Sequence, residues 1–204
     1  MAGAINGPMT ARHRNIPRLW LMTDERVGDA ALLTAIARLP RGAGVIFRHY
    51  GLNAGARRAL YDQVRAMTRR RGLRLILAGG TQLAAAWHAD GWHERAGRQT
   101  GGLEEGRGRR RGGAARRLLH SAPAHDAREL HAAQGAGADL LFVSPVFPTR
   151  SHPGAPALGR VRFALLARQA RIPVIALGGM NRPRAASLKS SGIWGWAAID
   201  ALTR

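Results

Sequence analysis

Short apolar runs of strand length recur along this chain, and each is followed by a stretch with helical spacing. That alternation, with short connections, constrains the fold more than any other feature. Parallel strands must be joined by crossovers, and a helix is the usual crossover. Leu19-Trp20-Leu21-Met22 precedes a helix expected over 29–39, where Leu32, Leu33, Ile36 and Leu39 share a face. Val45-Ile46-Phe47 precedes one over 54–71, with Leu60, Val64 and Met67 aligned. Residues 73–78 alternate too little for a half-exposed strand and read as one buried on both faces, ahead of a short helix over 82–89. Further strands are expected at 118–119, 140–143, 173–177 and 196–199, with helices over 126–133, 161–170 and 182–190.

Counting the weak Gly91-Trp92-His93 stretch as the fourth gives eight strands in 204 residues, which fits a compact (β/α)8 TIM barrel. An open doubly wound sheet would want a glycine-rich loop after the first strand, and Thr23-Asp24-Glu25 is not one. Ala89-Asp90-Gly91 and Ala138-Asp139-Leu140 form a weak repeat, each following a helix and opening a strand. Two places break the pattern. Residues 97–117 are rich in Gly and Arg and cannot make a good amphipathic helix, so the fourth helix is degenerate or replaced by a loop. Past Ile199 there is no room for a full eighth helix, which is also expected to be degenerate. The organisation expected is an N-terminal arm over 1–17 and one barrel domain over 18–204, the arm or a partner subunit covering the missing helix.

Hydrophobic residues make up 46% of the chain, enough for a core, and no apolar run approaches the roughly 18–20 residues of a membrane span. The absence of cysteine removes disulfides, thiolate metal sites and thiol nucleophiles. Residues 1–7 lack a signal peptide's apolar segment, so the cytoplasm is the expected compartment. The net charge of +20 points towards polyanions, but Lys189 is the only lysine among 32 basic residues. Phosphate neutralisation does not discriminate so sharply between Arg and Lys. Compositional bias towards Arg, beside abundant Ala and Gly, is the preferred explanation, small phosphorylated ligands come next, and nucleic acid is not expected as the partner. The arginine run within 107–117 also lacks the interleaved aromatics of single-strand binders.

Chemistry concentrates after the sixth and seventh strands. Ser144-Pro145-Val146-Phe147-Pro148-Thr149-Arg150-Ser151-His152-Pro153-Gly154 offers hydroxyls, an arginine, a histidine and backbone N–H groups in a Pro/Gly-restricted loop, a reasonable anion cradle. It lies past the C-terminal end of a strand, where barrel active sites sit. Gly178-Gly179 would let backbone N–H groups approach a phosphate, or else make only a tight turn. The remaining histidines show no metal-ligand spacing.

Residues 137–151 (Gly-Ala-Asp-Leu-Leu-Phe-Val-Ser-Pro-Val-Phe-Pro-Thr-Arg-Ser), 172–180 (Ile-Pro-Val-Ile-Ala-Leu-Gly-Gly-Met) and 89–93 (Ala-Asp-Gly-Trp-His) resemble the thiamine phosphate synthase superfamily, which also contains thiazole tautomerases. The resemblance implies a (β/α)8 barrel in thiamine biosynthesis. Synthases join a pyrimidine methyl diphosphate to a thiazole phosphate; tautomerases move a proton on a thiazole carboxylate phosphate. It implies that Thr149 and Ser151 hold pyrophosphate beside Arg150, that Gly179, next to Gly178, contacts the thiazole phosphate, and that Arg48 meets the diphosphate. His152 stands where synthases carry a lysine. His125, before the fifth helix, matches the histidine that moves the proton in tautomerases, although a residue preceding the cap Asp126 is commonly a surface one. His93 and Asp200 are expected to line the pocket.

The departures point to a divergent member. Ala78-Gly79 replaces the Asn-Asp that helps hold Mg²⁺, no aligned acid follows the fourth strand, Tyr50 replaces a lysine and Asp200 a serine. No metal ligands are therefore assigned, and Mg²⁺ enters only together with a diphosphate substrate. The expected function is synthase-like binding of a small phosphorylated heterocycle. A tautomerase-like enzyme, a non-catalytic phosphate binder and, distantly, a nucleic-acid binder are the alternatives; a homodimer is admitted.

Overall fold

The computed structural model describes residues 15–94, 117–151, 154 and 156–203. Eight parallel strands close into a barrel in chain order: β1 (Leu19–Met22), β2 (Gly44–Phe47), β3 (Arg74–Ala78), β4 (Gly91–His93), β5 (Leu119–Ala124), β6 (Leu140–Val143), β7 (Val174–Ala176) and β8 (Gly195–Ala198). Closure is made by β8 pairing with β1, Trp196 to Leu19 and Ala198 to Leu21. The helices are α1 (Asp29–Arg38), α2 (Ala54–Arg71), α3 (Thr81–Ala86), α4 (Ala127–Gly135), α5 (Gly159–Ala167), α6 (Arg182–Ser187) and α7 (Asp200–Thr203). The barrel expected from the alternation is the barrel found. The fourth crossover falls on residues outside those described, and the eighth helix is the four-residue stub α7.

Strand pleating sorts the apolar residues into two environments. Leu21, Val45, Phe47, Leu75 and Leu77 point outward to pack under α1 and α2, while Leu141, Val143, Val174 and Ala176 do so under α4 and α5. Trp20, Met22, Ile46, Ile76, Leu140, Phe142 and Ile175 fill the interior. Trp20 meets Phe142 edge-on at 5.6 Å, and Gly44 makes room for it: a Cβ there would collide with the indole. The barrel is therefore a packed core, as its apolar strands require.

The repeat seen in the sequence has a mechanical basis. Asp90 accepts the N–H of Leu75 on the neighbouring strand at 2.9 Å, and Asp139 accepts that of His120 at 3.0 Å. In both cases a carboxylate just before one strand satisfies a donor at the start of the preceding one.

One expectation needs correction. β5 extends well beyond 118–119, because its polar members find partners: Ser121 Oγ lies 3.0 Å from His93 Nδ1, and His120 Nε2 lies 2.9 Å from Glu94 Oε1 with its ring stacked on Trp92. The described part of the N-terminal arm, residues 15–17, seals the barrel's floor, where Ile16 is buried, Trp20 Nε1–H donates to Pro17 O at 2.8 Å and Trp194 Nε1–H donates to Ile16 O at 3.0 Å. Trp194 is thus occupied within its own chain, with Arg18 over its ring at 4.4 Å.

Candidate active site

At the opposite end, the loops after β6 and β7 are fastened together. Val146 N–H donates to Leu177 O at 2.9 Å and Phe147 N–H to Gly178 O at 3.1 Å. Gly178 has φ +91°, and a Cβ on it would lie 2.6 Å from Pro145 Cα, so no other residue fits there without moving the loop. Beside this seam lies a cavity of about 520 Å³. Arg48, His125, Thr149, Arg150, Ser151, Gly178, Gly179 and Asp200 all line it, although they are scattered over five loops.

One other residue singled out from the sequence is placed differently. His93, expected to line the pocket, is buried in the barrel interior edge-on to Phe142 and is not among the lining residues. Burial, reinforced by the positive charges of Arg48 and His120, pushes its imidazole down to about 3, so it is a neutral core residue. His152 lies outside the described residues.

Arg48 directly follows β2 and is fixed before any ligand arrives. Its Nε donates to Thr23 O at 2.7 Å, its backbone N–H to Thr23 Oγ1 at 2.9 Å, and its Nη2 to Asp24 Oδ2 at 3.2 Å. Burial lowers its guanidinium below the usual value, opposed by Asp24. Asp24 also pairs with Arg26, whose Nε donates to Oδ1 at 2.8 Å and Nη2 to Oδ2 at 3.0 Å. Burial alone would raise the Asp24 carboxyl; the hydrogen bonds from Arg26 outweigh it and hold it below the ordinary carboxylate range. Arg26 Nη2 further donates to Ser151 Oγ at 2.9 Å.

Sequence reasoning missed Asp24 and Arg26, as well as the lining residues Asn181 and Arg184. Arg184 donates to Gly179 O and lies 4.8 Å over the Phe147 ring; Asn181 accepts its backbone N–H at 3.0 Å as the cap of α6. The available signal was positional: each follows the C-terminal end of a strand, and Asp-Glu-Arg after β1 is a charged cluster at such an end.

The His125 Nδ1 lies 2.6 Å from Ser144 O. A carbonyl only accepts, so Nδ1 carries the proton and Nε2 of the neutral ring is the basic nitrogen. Asp126 takes no part in this. Its carboxylate accepts Glu129 N–H at 2.8 Å as the cap of α4, while Glu129 Oε2 accepts His125 N–H at 2.7 Å.

The donor set does not suit a hard divalent cation. Mg²⁺ wants an octahedron of oxygens. At the end of β3 the Ala78 carbonyl accepts Arg57 Nη2 at 2.8 Å, and the same side chain donates to Arg48 O, so a guanidinium lies at this strand end. Among the described residues no three Asp, Glu, His or Cys side chains gather at one point.

The chain is a parallel eight-stranded barrel with hydroxyls, arginines and a diglycine turn converging at its C-terminal mouth, the end at which barrels of this architecture commonly bind phosphate. Its kinship is narrower. The sequence matches the thiamine monophosphate synthase family over residues 19–202, and the chain belongs to that family. It is 33% identical to the thiamine-phosphate synthase of Thiobacillus denitrificans over 90% of this chain and 86% of that one. It is 29% identical to the thiamine biosynthesis bifunctional protein ThiED of Geobacter sulfurreducens, covering 94% of this chain but only 38% of that longer protein. Among solved structures, the thiamine phosphate pyrophosphorylase of Pyrococcus furiosus superposes with a TM-score of 0.71 at 22% identity, over 93% of this chain and 89% of that one. No described helix is long and apolar enough to cross a membrane.

Proposed function

We propose that the protein condenses a pyrimidine methyl diphosphate with a thiazole phosphate. The methylene–oxygen bond of the diphosphate breaks, its electron pair leaves with pyrophosphate, and the thiazole nitrogen lone pair forms the new carbon–nitrogen bond. One observation carries this reading: Arg48, Thr149 and Ser151 share a cavity with Gly178 and Gly179, so two phosphate anchors flank one space. Arg48, Arg150, Thr149 and Ser151 would hold the diphosphate, and the diglycine turn the thiazole phosphate. Fixed cations suit the departing pyrophosphate, because charge accumulates on its oxygens as the bond breaks. The test is a product assay with both precursors. Thiamine phosphate and pyrophosphate should appear in equal amounts, and their absence under all conditions would refute the reading.

A second reading, tautomerase-like proton transfer on a thiazole carboxylate phosphate, is favoured by one feature. His125 lines the cavity with Nε2 as its basic nitrogen, the form that accepts a proton and returns it. With either reading go small phosphorylated heterocycles as partners, no nucleic acid, a cytoplasmic location, and a homodimer for which the exposed Val161 and Leu165 of α5 supply an apolar face.

A further inference from the structure

We infer that the diphosphate is held here by guanidinium groups without an intervening divalent cation, with Asp24 serving as the internal counter-ion of Arg26 and Arg48. The inference rests on reading the cavity as a diphosphate site and departs from the metal that family membership implies. The carboxylate oxygens of Asp24 are already engaged. Oδ1 accepts from Arg26 Nε and from its backbone N–H at 3.0 Å, while Oδ2 accepts from Arg26 Nη2 and Arg48 Nη2. A metal ligand would need one of them turned away from these cations.

Asp200 is the one carboxylate among the described residues lining the cavity, and it lies within electrostatic reach of Arg26. Among the described residues, Arg48, Arg150 and Arg184 line the cavity with Asp200, and Asp24 pairs with both Arg48 and Arg26 beside it. Guanidinium presents its donors in a planar fork that matches phosphate oxygens bidentately, and it keeps its charge at any working pH. Arg48 is also held in place by the Thr23 carbonyl, so little side-chain freedom is lost when an anion arrives. Arg26 reaches Ser151, which couples the counter-ion pair to the loop assigned to pyrophosphate.

The experiment is calorimetric titration of the full chain with inorganic pyrophosphate at about 0.15 M salt, where exposed charges are largely screened, in EDTA and in excess Mg²⁺. Affinity in EDTA should equal or exceed that in Mg²⁺, because the metal consumes charge that the arginines would otherwise meet. Arg48→Met should weaken binding about tenfold or more, and Arg48→Lys less, as expected when a charge-assisted pair is lost or a fork is replaced by a point charge. Asp24→Asn should leave affinity unchanged or raise it, because it releases two guanidiniums; circular dichroism would verify that each variant is folded. Three results would overturn the inference: a loss of about tenfold in EDTA, a loss of the Mg²⁺-dependent part of binding in Asp24→Asn, or no pyrophosphate binding in either buffer. The condensation assay separates the two readings. Metal-independent pyrophosphate binding without product would refute the condensation and leave this inference standing, whereas product formed only with Mg²⁺ would do the reverse.

Discussion

The guanidinium of Arg26 and the hydroxyl of Ser151 meet at 2.9 Å although 125 residues separate them in the chain. Barrel closure makes this contact possible. It brings the exit of β1 beside loops formed much later, so the proposed anion site is assembled by topology as much as by any local motif.

Pyrophosphate should raise the melting temperature of the protein by mass action. In the Thr149→Ala, Ser151→Ala double variant most of that rise should disappear, since two hydroxyl donors and the Arg26 tether go together. Thermal scans with and without pyrophosphate at about 0.15 M salt check it. An undiminished shift would move the anion site elsewhere.

His125→Gln should lower a thiazole tautomerase rate by about 10²–10⁴-fold, the usual worth of a general acid–base group, with phosphate binding intact. The same substitution should change the condensation far less, since no proton transfer to His125 is needed to break the diphosphate bond. Rates of the two reactions, compared for the same variant, decide which role this residue has.

Gly44→Ala should destabilise the fold by about 1–3 kcal/mol, the cost of overpacking, because the added methyl invades the space of the buried Trp20 ring. Urea denaturation monitored by tryptophan fluorescence measures it. A variant as stable as the parent would mean that the indole has another place to go.

Stability should fall on acidification from below about pH 6.5 towards pH 3. The folded-state pKa of His93 is depressed to about 3 by burial, while the unfolded chain protonates near 6.5, so in that window the unfolded state binds more protons. His49, also lowered by burial, acts in the same direction. One such group contributes a slope of about 1.4 kcal/mol per pH unit. Urea midpoints at several pH values should therefore be less pH-dependent in His93→Gln, and parallel curves for parent and variant would remove His93 as a cause.

The barrel was legible in the sequence because its strands are short, apolar and regularly spaced. Leu19–Met22 and Leu140–Val143 lie where the apolar runs do, and Gly91–His93 is the weak stretch counted as the fourth strand. β5 was not, since His120 and Ser121 read as polar until Glu94, Trp92 and His93 are seen beside them. The same limit applies to the site. Residues within one continuous segment, such as Thr149 to Ser151, could be grouped by inspection. The pairing of Asp24 with Arg48, and of Arg26 with Ser151, joins different loops and leaves no periodicity to read. His93 was misjudged for a related reason: its position at a strand end suggested the mouth, whereas Phe142 and Ser121 hold its ring within the core.

The stoppered floor, where Trp20 and Trp194 clasp the backbone of Pro17 and Ile16, has a corollary. With the barrel interior packed above that floor, a molecule in the cavity at the other end has no route along the barrel axis to the floor.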